Sequence, residues 1–423
     1  MRSFTFIHAA DLHLDSPFKG IGDDAPRVAD ALRKANYGVL DRLAGLAEDT
    51  GAEFLLLAGD VFDWSDRSIK AQLALRDCLK RLSDIGKETF MVYGNHDPLA
   101  GRASPIHWPD RVHVFGASGP ETLLVDRDGC PLCAVTGMSY GTAKESRNLA
   151  RMFPKADPGT FSIGLLHCSV GTNPAHETYA PCDRQDLLDS GMDYWALGHV
   201  HEKAILCTDP PIVYPGNTQG RSFKEQGERG CFVVSVDARR SVHLEFVPLD
   251  AVRWSSRDVS IDGIETLEAL ENALMTAVED MAKGSGGRGI VCRLDITGRG
   301  GLALELRRPG AIETLLERLR DAFADSDPLV HVRELSVSCR QDTDRDARRL
   351  AGDFLAELLV TADTLRERGS EGYAHLREQA LWPLFGNRRI NRLLSGLDHD
   401  DAIEDALVAA ESLCMDLLEG DGS

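Results

Sequence analysis

The sequence predicts a mixed α/β layered domain, then a smaller α+β unit, then a helical C-terminal region, and three observations carry that reading. Short apolar runs alternate with helical patterns up to about Leu249. The texture then changes to a compact alternation of strands and amphipathic helices. From about Arg345 the pattern is helical to the end, broken near Pro383 and Gly386. At 423 residues the chain exceeds one ordinary core, so domains are expected at 1–250, 251–340 and 341–423.

Phe4-Thr5-Phe6-Ile7 reads as the first strand. Pro26 suits a first helical turn and Gly51 a stop, which brackets a helix over Pro26–Asp49. Phe54-Leu55-Leu56-Leu57-Ala58 is continuously apolar, as in a strand buried on both faces. A helix over Ser68–Ile85 and a strand over Thr89–Tyr93 follow. Further strands are expected at Cys133–Thr136, Ser162–Leu166, Tyr194–Leu197, Ile212–Tyr214, Cys231–Val236 and Val242–Val247. The last of these lie close together with little helix between them, which calls for antiparallel pairing. The middle unit reads as βαββαβ. It comprises strand Val259–Ile261, helix Thr266–Lys283, strands Ile290–Ile296 and Ala303–Arg307, helix Ile312–Ala324 and strand Val330–Leu335.

Hydrophobic residues at 43% and charged residues at 27% fit an ordinary folded chain. No apolar stretch reaches the roughly 18 residues a membrane helix needs, so no span is expected. The first residues turn polar too soon for a signal peptide. Ten cysteines are scattered, with Cys130-Pro-Leu-Cys133 the one close pair, so reduced thiols in a cytoplasmic protein are expected. The net charge of −20 opposes a free-standing nucleic-acid-binding surface. Part of that acidity is local, since no Lys or Arg follows Arg392, and a metal site concentrates carboxylates.

Five short segments hold nearly all the informative polar residues: Asp11-Leu12-His13, Gly59-Asp60-Val61-Phe62-Asp63, Gly94-Asn95-His96-Asp97, His167, and Gly198-His199-Val200-His201. Each follows an apolar run, and in open α/β sheets sites gather beyond the carboxyl ends of strands. Asp11 and His13 are two apart, as are His199 and His201. Extended chain would put each pair on one face, about 6.5–7 Å apart. Asp11, His13, Asp60, Asn95, His167, His199 and His201 are too many ligands for one tetrahedral ion, so two divalent ions are expected. Their mix of carboxylate, amide and imidazole suits Mn, Fe or Zn better than Mg or Ca. Two such ions about 3.5–4 Å apart can clamp a phosphate. His96 is left over, beside a ligand, where it can serve a leaving oxygen, with Asp97 to orient it. Asp63 reads either as a support to the ligands or as a turn residue. His8, His107, His113 and His176 stand alone and read as surface or satisfied core positions.

The series D-x-H, G-D-x-x-D, G-N-H-D, H, G-H-x-H resembles the calcineurin-like metallophosphoesterase superfamily, over about the first 250 residues. That resemblance implies a two-sheet α/β sandwich and a bridging Asp60. It implies Asp11, His13 and His201 on one ion, Asn95, His167 and His199 on the other, and His96 as the catalytic histidine. Ala10-Asp11-Leu12-His13-Leu14-Asp15-Ser16-Pro17-Phe18 is similar to the DNA-repair exonuclease branch, the SbcD- and YhaO-like proteins. So is Tyr214-Pro215-Gly216-Asn217-Thr218-Gln219-Gly220-Arg221, followed by Glu225 and Gly227-Glu228-Arg229-Gly230. Ser222 departs from it, standing where many relatives have His. Asn217 and Arg221 in that segment are expected to bind substrate, and manganese is the first choice among Mn, Fe and Zn for the ligand set. The branch further implies a capping domain at 251–340 that guides DNA, a homodimer through the helix after Asp63, and C-terminal helices that bind an SMC-like coiled-coil ATPase of the SbcC or YhaN kind. Two other readings remain: a phosphoesterase of small nucleotides or other small phosphodiesters, and a scaffold subunit of an ATPase complex.

Overall fold

Apolar runs of the first part become strands covered on both faces, because they lie in two stacked sheets flanked by helices. The computed structural model describes residues 2–18, 26–63, 68–101, 106–171, 178–341, 348–350, 352–367, 370–385 and 399–420. Strands β1 (Phe4–Ala9), β2 (Phe54–Ala58), β3 (Glu88–Val92) and β4 (Val112–Val114) come first, with α1 (Pro26–Asp49) and α2 (Ile69–Asp84) between them. Then follow β5 (Glu121–Arg127), β6 (Cys130–Met138), β7 (Phe161–His167), α3 (Arg184–Asp189), β8 (Tyr194–Gly198), β9 (Ala204–Thr208) and β10 (Pro211–Tyr214). β11 (Gly230–Val236) and β12 (Val242–Pro248) complete the two sheets, whose orders are β12–β11–β1–β2–β3–β4 and β5–β6–β7–β8–β10–β9. β1, β2 and β3 run parallel in the first sheet, and β7 and β8 run parallel in the second. Antiparallel pairing enters with β5–β6 and recurs in β9–β10 and β11–β12, and β11 returns to lie antiparallel beside β1.

Alternation along the strands feeds two cores. Ile7, Leu55, Leu57 and Met91 pack on Val39, Leu40 and Leu43 of α1 and on Leu75, Leu79 and Leu82 of α2. Phe6, Phe54, Leu56 and Phe90 face Val135, Phe161, Ile163 and Tyr194 across the gap between sheets. Phe6 and Phe54 stack with centroids 5.0 Å apart, and Phe90 meets Phe54 edge-on at 5.7 Å. Burying each such ring contributes about 1.5–3 kcal/mol. Cys130 is exposed and Cys133 buried in β6, and both are free thiols.

By its internal contacts the chain divides into two units. One is Met1–Arg257 with Met275–Leu294 and Glu317–Glu334; the other is Asp258–Leu274, Asp295–Leu316 and Leu335–Ser423. Along the middle of the chain run β13 (Val252–Ser260), α4 (Leu267–Gly284), β14 (Gly289–Thr297), α5 (Leu302–Leu306), α6 (Ala311–Ala322) and β15 (Val330–Val337), with sheet order β13–β14–β15. The strand expected at Ala303–Arg307 is corrected: Leu302–Leu306 is a helical turn that buries Leu302, Ala303 and Leu306. Leu, Ala and Glu are strong helix formers, and so short a stretch as Leu302–Leu306 does not separate the two states by pattern alone. The order is therefore βαβααβ.

In the second unit, α7 (Phe354–Arg366), α8 (Glu371–Phe385) and α9 (His399–Gly420) follow. Leu355 and Leu359 of α7 pack on Met415 of α9, and Arg366 pairs with Glu411 at 2.8 Å. Pro383, where a break is expected, lies within α8, which runs to Phe385. Arg345, Gly386 and His176 lie outside the described residues. Among the described residues no helix is long and apolar enough to cross a membrane.

Candidate metal centre

β1 and β2 stop one residue short of Asp11 and Asp60, and the backbone then turns left-handed. Asp11 has φ 52°, His13 φ 43° and Asp60 φ 47°, while His199 has φ 106°. The expectation that extended chain puts Asp11 and His13 on one face is corrected: both lie in a turn beyond β1, and the turn brings them together. Such conformations cost on the order of 1–3 kcal/mol each and persist where neighbours hold them. Here the neighbours are explicit. Asp11 N donates to Gly59 O at 3.0 Å, His13 N to Asp60 O at 3.0 Å, and Leu14 N to Val61 O at 2.9 Å. Asn36, buried on α1, braces the same turn by donating to Leu12 O at 3.0 Å and accepting from Asp15 N at 3.2 Å. An amide amid Leu32, Ala35, Val39 and Leu40 was the sequence signal for that brace.

The two sheets close on each other at this end because two glycines permit it. A Cβ on Gly198 would lie 1.9 Å from Ala58 O, and one on Gly59 (φ 91°) would lie 2.5 Å from His167 Nδ1. With both absent, His167 Nδ1 donates to Ala58 O at 2.9 Å across the gap. That bond fixes the ring so that Nε2 points to Asn95 Oδ1 at 3.0 Å and Asp60 Oδ2 at 3.5 Å.

Side chains from all five segments meet there. Asp11, His13 and His201 form one group able to hold an ion; His13, Asp60 and His96 form a second, and Asp11, Asp60 and His167 a third, each with ligand atoms within 4.8 Å of one another. His13 Nε2 stands 3.0 Å from His201 Nε2 and 3.8 Å from Asp60 Oδ2. The His167 and His199 rings meet edge-on at 5.3 Å, and His199 N donates to both Asp11 oxygens at 3.1 Å.

Burial sets the electrostatics. It raises the Asp11 carboxyl to about 6. It works the same way on Asp60, but His167, His13 and His96 outweigh it and hold Asp60 ionised, well below the usual carboxylate range. On His167 burial pulls down, yet the charges of Asp60 and Asp11 push the imidazole up to about 9. His13 falls to about 3, through burial first and then the Arg221 charge. Two buried carboxylates thus draw positive charge inward beside a neutral, ligand-competent imidazole.

These residues fit divalent cations. Two nitrogens each about 2.1 Å from one ion and at right angles around it are about 3.0 Å apart, which is the separation of the two Nε2 atoms. A set of imidazoles, carboxylates and one amide oxygen, with Asp11, His13, Asp60 and His167 buried, suits a borderline transition ion.

His96 stands at the edge, with 41% of its side chain exposed. Its N donates to Asp60 Oδ1 at 2.9 Å, and its Nδ1 donates to Asp63 O at 2.9 Å, which leaves Nε2 for chemistry. The expectation that Asp97 orients His96 is corrected. Asp97 accepts from Val61 N (2.8 Å), Phe62 N (3.1 Å) and Gly94 N (2.8 Å), tying the two ligand loops together, and Asp63 is the group beside the His96 ring. Asn217 and Arg221, expected to bind substrate, make contacts within the protein. Asn217 is buried and donates to Gln219 O and Glu225 Oε2, while Arg221 grips Asp63 and Glu225. Among the lone histidines, His8 is a satisfied core residue, His113 stacks on Phe90 at 5.1 Å, and His107 is exposed.

Residues 4–203 match the calcineurin-like phosphoesterase family, and residues 254–340 match the family described as metallophosphoesterase YhaO, middle domain. The chain is 34% identical to the uncharacterized metallophosphoesterase YhaO of Bacillus subtilis strain 168, over 78% of this chain and 80% of that protein. It is 25% identical to the DNA double-strand break repair protein Mre11 of Methanopyrus kandleri, over 60% of this chain and 58% of that one. With one component of the nuclease SbcCD of Bacillus subtilis it shares 28% identity, over 52% of this chain and 63% of that one. The chain thus aligns to less than two thirds of the length of either of these two proteins.

Proposed function

The chain belongs to the calcineurin-like metallophosphoesterase family, and from that membership and the metal centre we propose that it is a two-metal phosphodiesterase acting on DNA. One observation carries the reading: ligand-type side chains from five separate strand ends meet around Asp11, His13 and Asp60, with His96 partly exposed at the edge. Asp60 would bridge the ions, with Asp11, His13 and His201 on one and Asn95, His167 and His199 on the other. Two ions bound there, most simply manganese, supply a nucleophile at neutral pH and neutralise charge on the phosphate.

The protein's own residues do the rest. His96, its ring held through Nδ1, presents Nε2 as the proton donor to the departing oxygen. Asp97 keeps the loops of Asp60 and Asn95 in register. DNA as substrate is supported by the repair proteins and nucleases among the relatives. A role for residues 251–340 as a capping domain is supported by the separate family match at 254–340. A coiled-coil ATPase partner is supported by Phe354 and Val360 of α7 and by Val408 and Leu413 of α9, apolar side chains left exposed in the second unit. Such a partner would also bring basic surface to a chain of net charge −20.

The test is to incubate the chain with Mn²⁺ and end-labelled linear duplex DNA, beside bis-p-nitrophenyl phosphate. His96→Ala should lower turnover about 10²–10⁴-fold while still binding metal. Turnover of the small ester alone, with DNA untouched even beside an ATPase partner, would move the substrate to small phosphodiesters.

A further inference from the structure

Beyond the ligands, one buried residue touches the centre without any role yet given to it. Glu225 lies in the loop between β10 and β11, and 8% of it is exposed. Its Oε1 sits 2.8 Å from His201 Nδ1. Its Oε2 accepts from Arg221 N at 2.7 Å and Asn217 Nδ2 at 2.8 Å, so the carboxylate is clamped from behind. The guanidinium of Arg221 then spans outward. NH2 donates to Glu225 Oε1 at 3.2 Å, and NH1 donates to Asp63 Oδ1 at 2.8 Å. Asp63 Oδ1 is in turn 2.9 Å from His13 Nδ1, bent away from a linear hydrogen bond. One arginine thus joins two carboxylates, and each carboxylate stands behind one histidine.

Tautomers follow from this arrangement. Arg221 NH2 also lies 3.2 Å from His201 Nδ1 and can only donate, so it would need a lone pair there. The shorter contact, to an anion, requires a proton on Nδ1 instead, and a charge-assisted bond at 2.8 Å outweighs a longer one. With Nδ1–H settled, the lone pair of His201 is on Nε2, the nitrogen 3.0 Å from His13 Nε2.

We infer that Glu225 is a positioning residue: it fixes the Nδ1–H tautomer and ring orientation of His201, and Arg221 couples it to Asp63 behind His13, so that the two Nε2 atoms converge on one ion. This rests on the metal reading proposed above. Carboxylates behind metal-binding histidines commonly carry ten- to hundred-fold of the affinity. Arginine suits the link because its rigid fork meets two carboxylates at once, which lysine does not.

The test uses the full chain. Titration calorimetry with Mn²⁺ compares the wild type with Glu225→Gln, Arg221→Lys and the control Glu228→Gln, whose residue pairs with Arg253 and Lys203 instead. Nitrogen-15 spectra of the metal-free protein report the His201 tautomer directly, and melting in EDTA reports folding. Expected are two Mn²⁺ sites in the wild type, with one weakened about ten- to hundred-fold in Glu225→Gln and unchanged in Glu228→Gln. A folded Glu225→Gln that binds both ions as the wild type does, or a wild-type His201 protonated on Nε2, overturns the inference while leaving the metal reading intact. Should Glu225→Gln fail to fold, Arg221→Lys must weaken the same site, and unaltered binding there overturns the coupling. A wild type that binds no Mn²⁺ overturns the metal reading and the inference with it.

Discussion

His8 and His167 differ by context alone, and that difference has a measurable consequence. His8 sits within β1, where Nε2 donates to Leu197 O at 3.1 Å and Nδ1 accepts from Tyr194 at 3.0 Å. Burial pulls it down to about 3, so the folded protein keeps it neutral. The unfolded chain takes a proton near 6.5 that the folded chain refuses. Stability is therefore complete above that value and lost as pH falls from 6.5 towards 3. Urea unfolding in EDTA at about pH 7 and about pH 5.5 should show His8→Gln losing about 1 kcal/mol less than the wild type over that interval. Equal losses would mean that His8 is already charged in the fold. His167 ends its strand instead of lying within it, and the two buried carboxylates reverse the direction of its shift.

Close approach of the sheets makes the end of β8 a sensitive element. Gly198→Ala would set a methyl 1.9 Å from Ala58 O, where both partners are backbone. It should cost about 1–3 kcal/mol and weaken Mn²⁺ binding, since His167 loses its fixed distance to Ala58. Melting in EDTA and a metal titration check this, and a variant unchanged in both would show that the sheets can part freely. The same element scale explains what the sequence made legible. Phe54–Ala58 was readable because both faces are covered. β4, β5 and β9 were not, and all three are edge strands. An edge buries little, so β9 alternates weakly and β5 carries Glu121, Asp126 and Arg127. The five ligand segments were legible because each is local to one strand end. The links from Asn36, Glu225 and Arg221 join residues far apart in the chain or bury polar groups whose partners no spacing reveals.

For the whole molecule, the centre is also a store of stability. Asp11 and Asp60 are both almost fully buried, and bound cations would offset their repulsion. Any ion that binds only the folded chain stabilises it, by about 2.7 kcal/mol at a hundredfold excess over its dissociation constant. Mn²⁺ should therefore raise the melting temperature relative to EDTA, and Asp60→Asn should abolish most of that rise. An identical melt in both buffers would separate metal binding from folding. The net charge of −20 makes this gain larger at low salt, where unscreened acidic groups bear on one another.

Left-handed backbone at Asp11 and Asp60 also governs which inactive forms of this protein can exist as folded molecules. Asparagine visits that conformation readily, whereas alanine meets a penalty of about 1–2 kcal/mol at each position. Loss of chemistry through Asp-to-Asn exchange is therefore the gentle route, and it leaves an intact shell. Alanine removes the ligand and loosens the turn at once, so a silent alanine variant reports on two changes together.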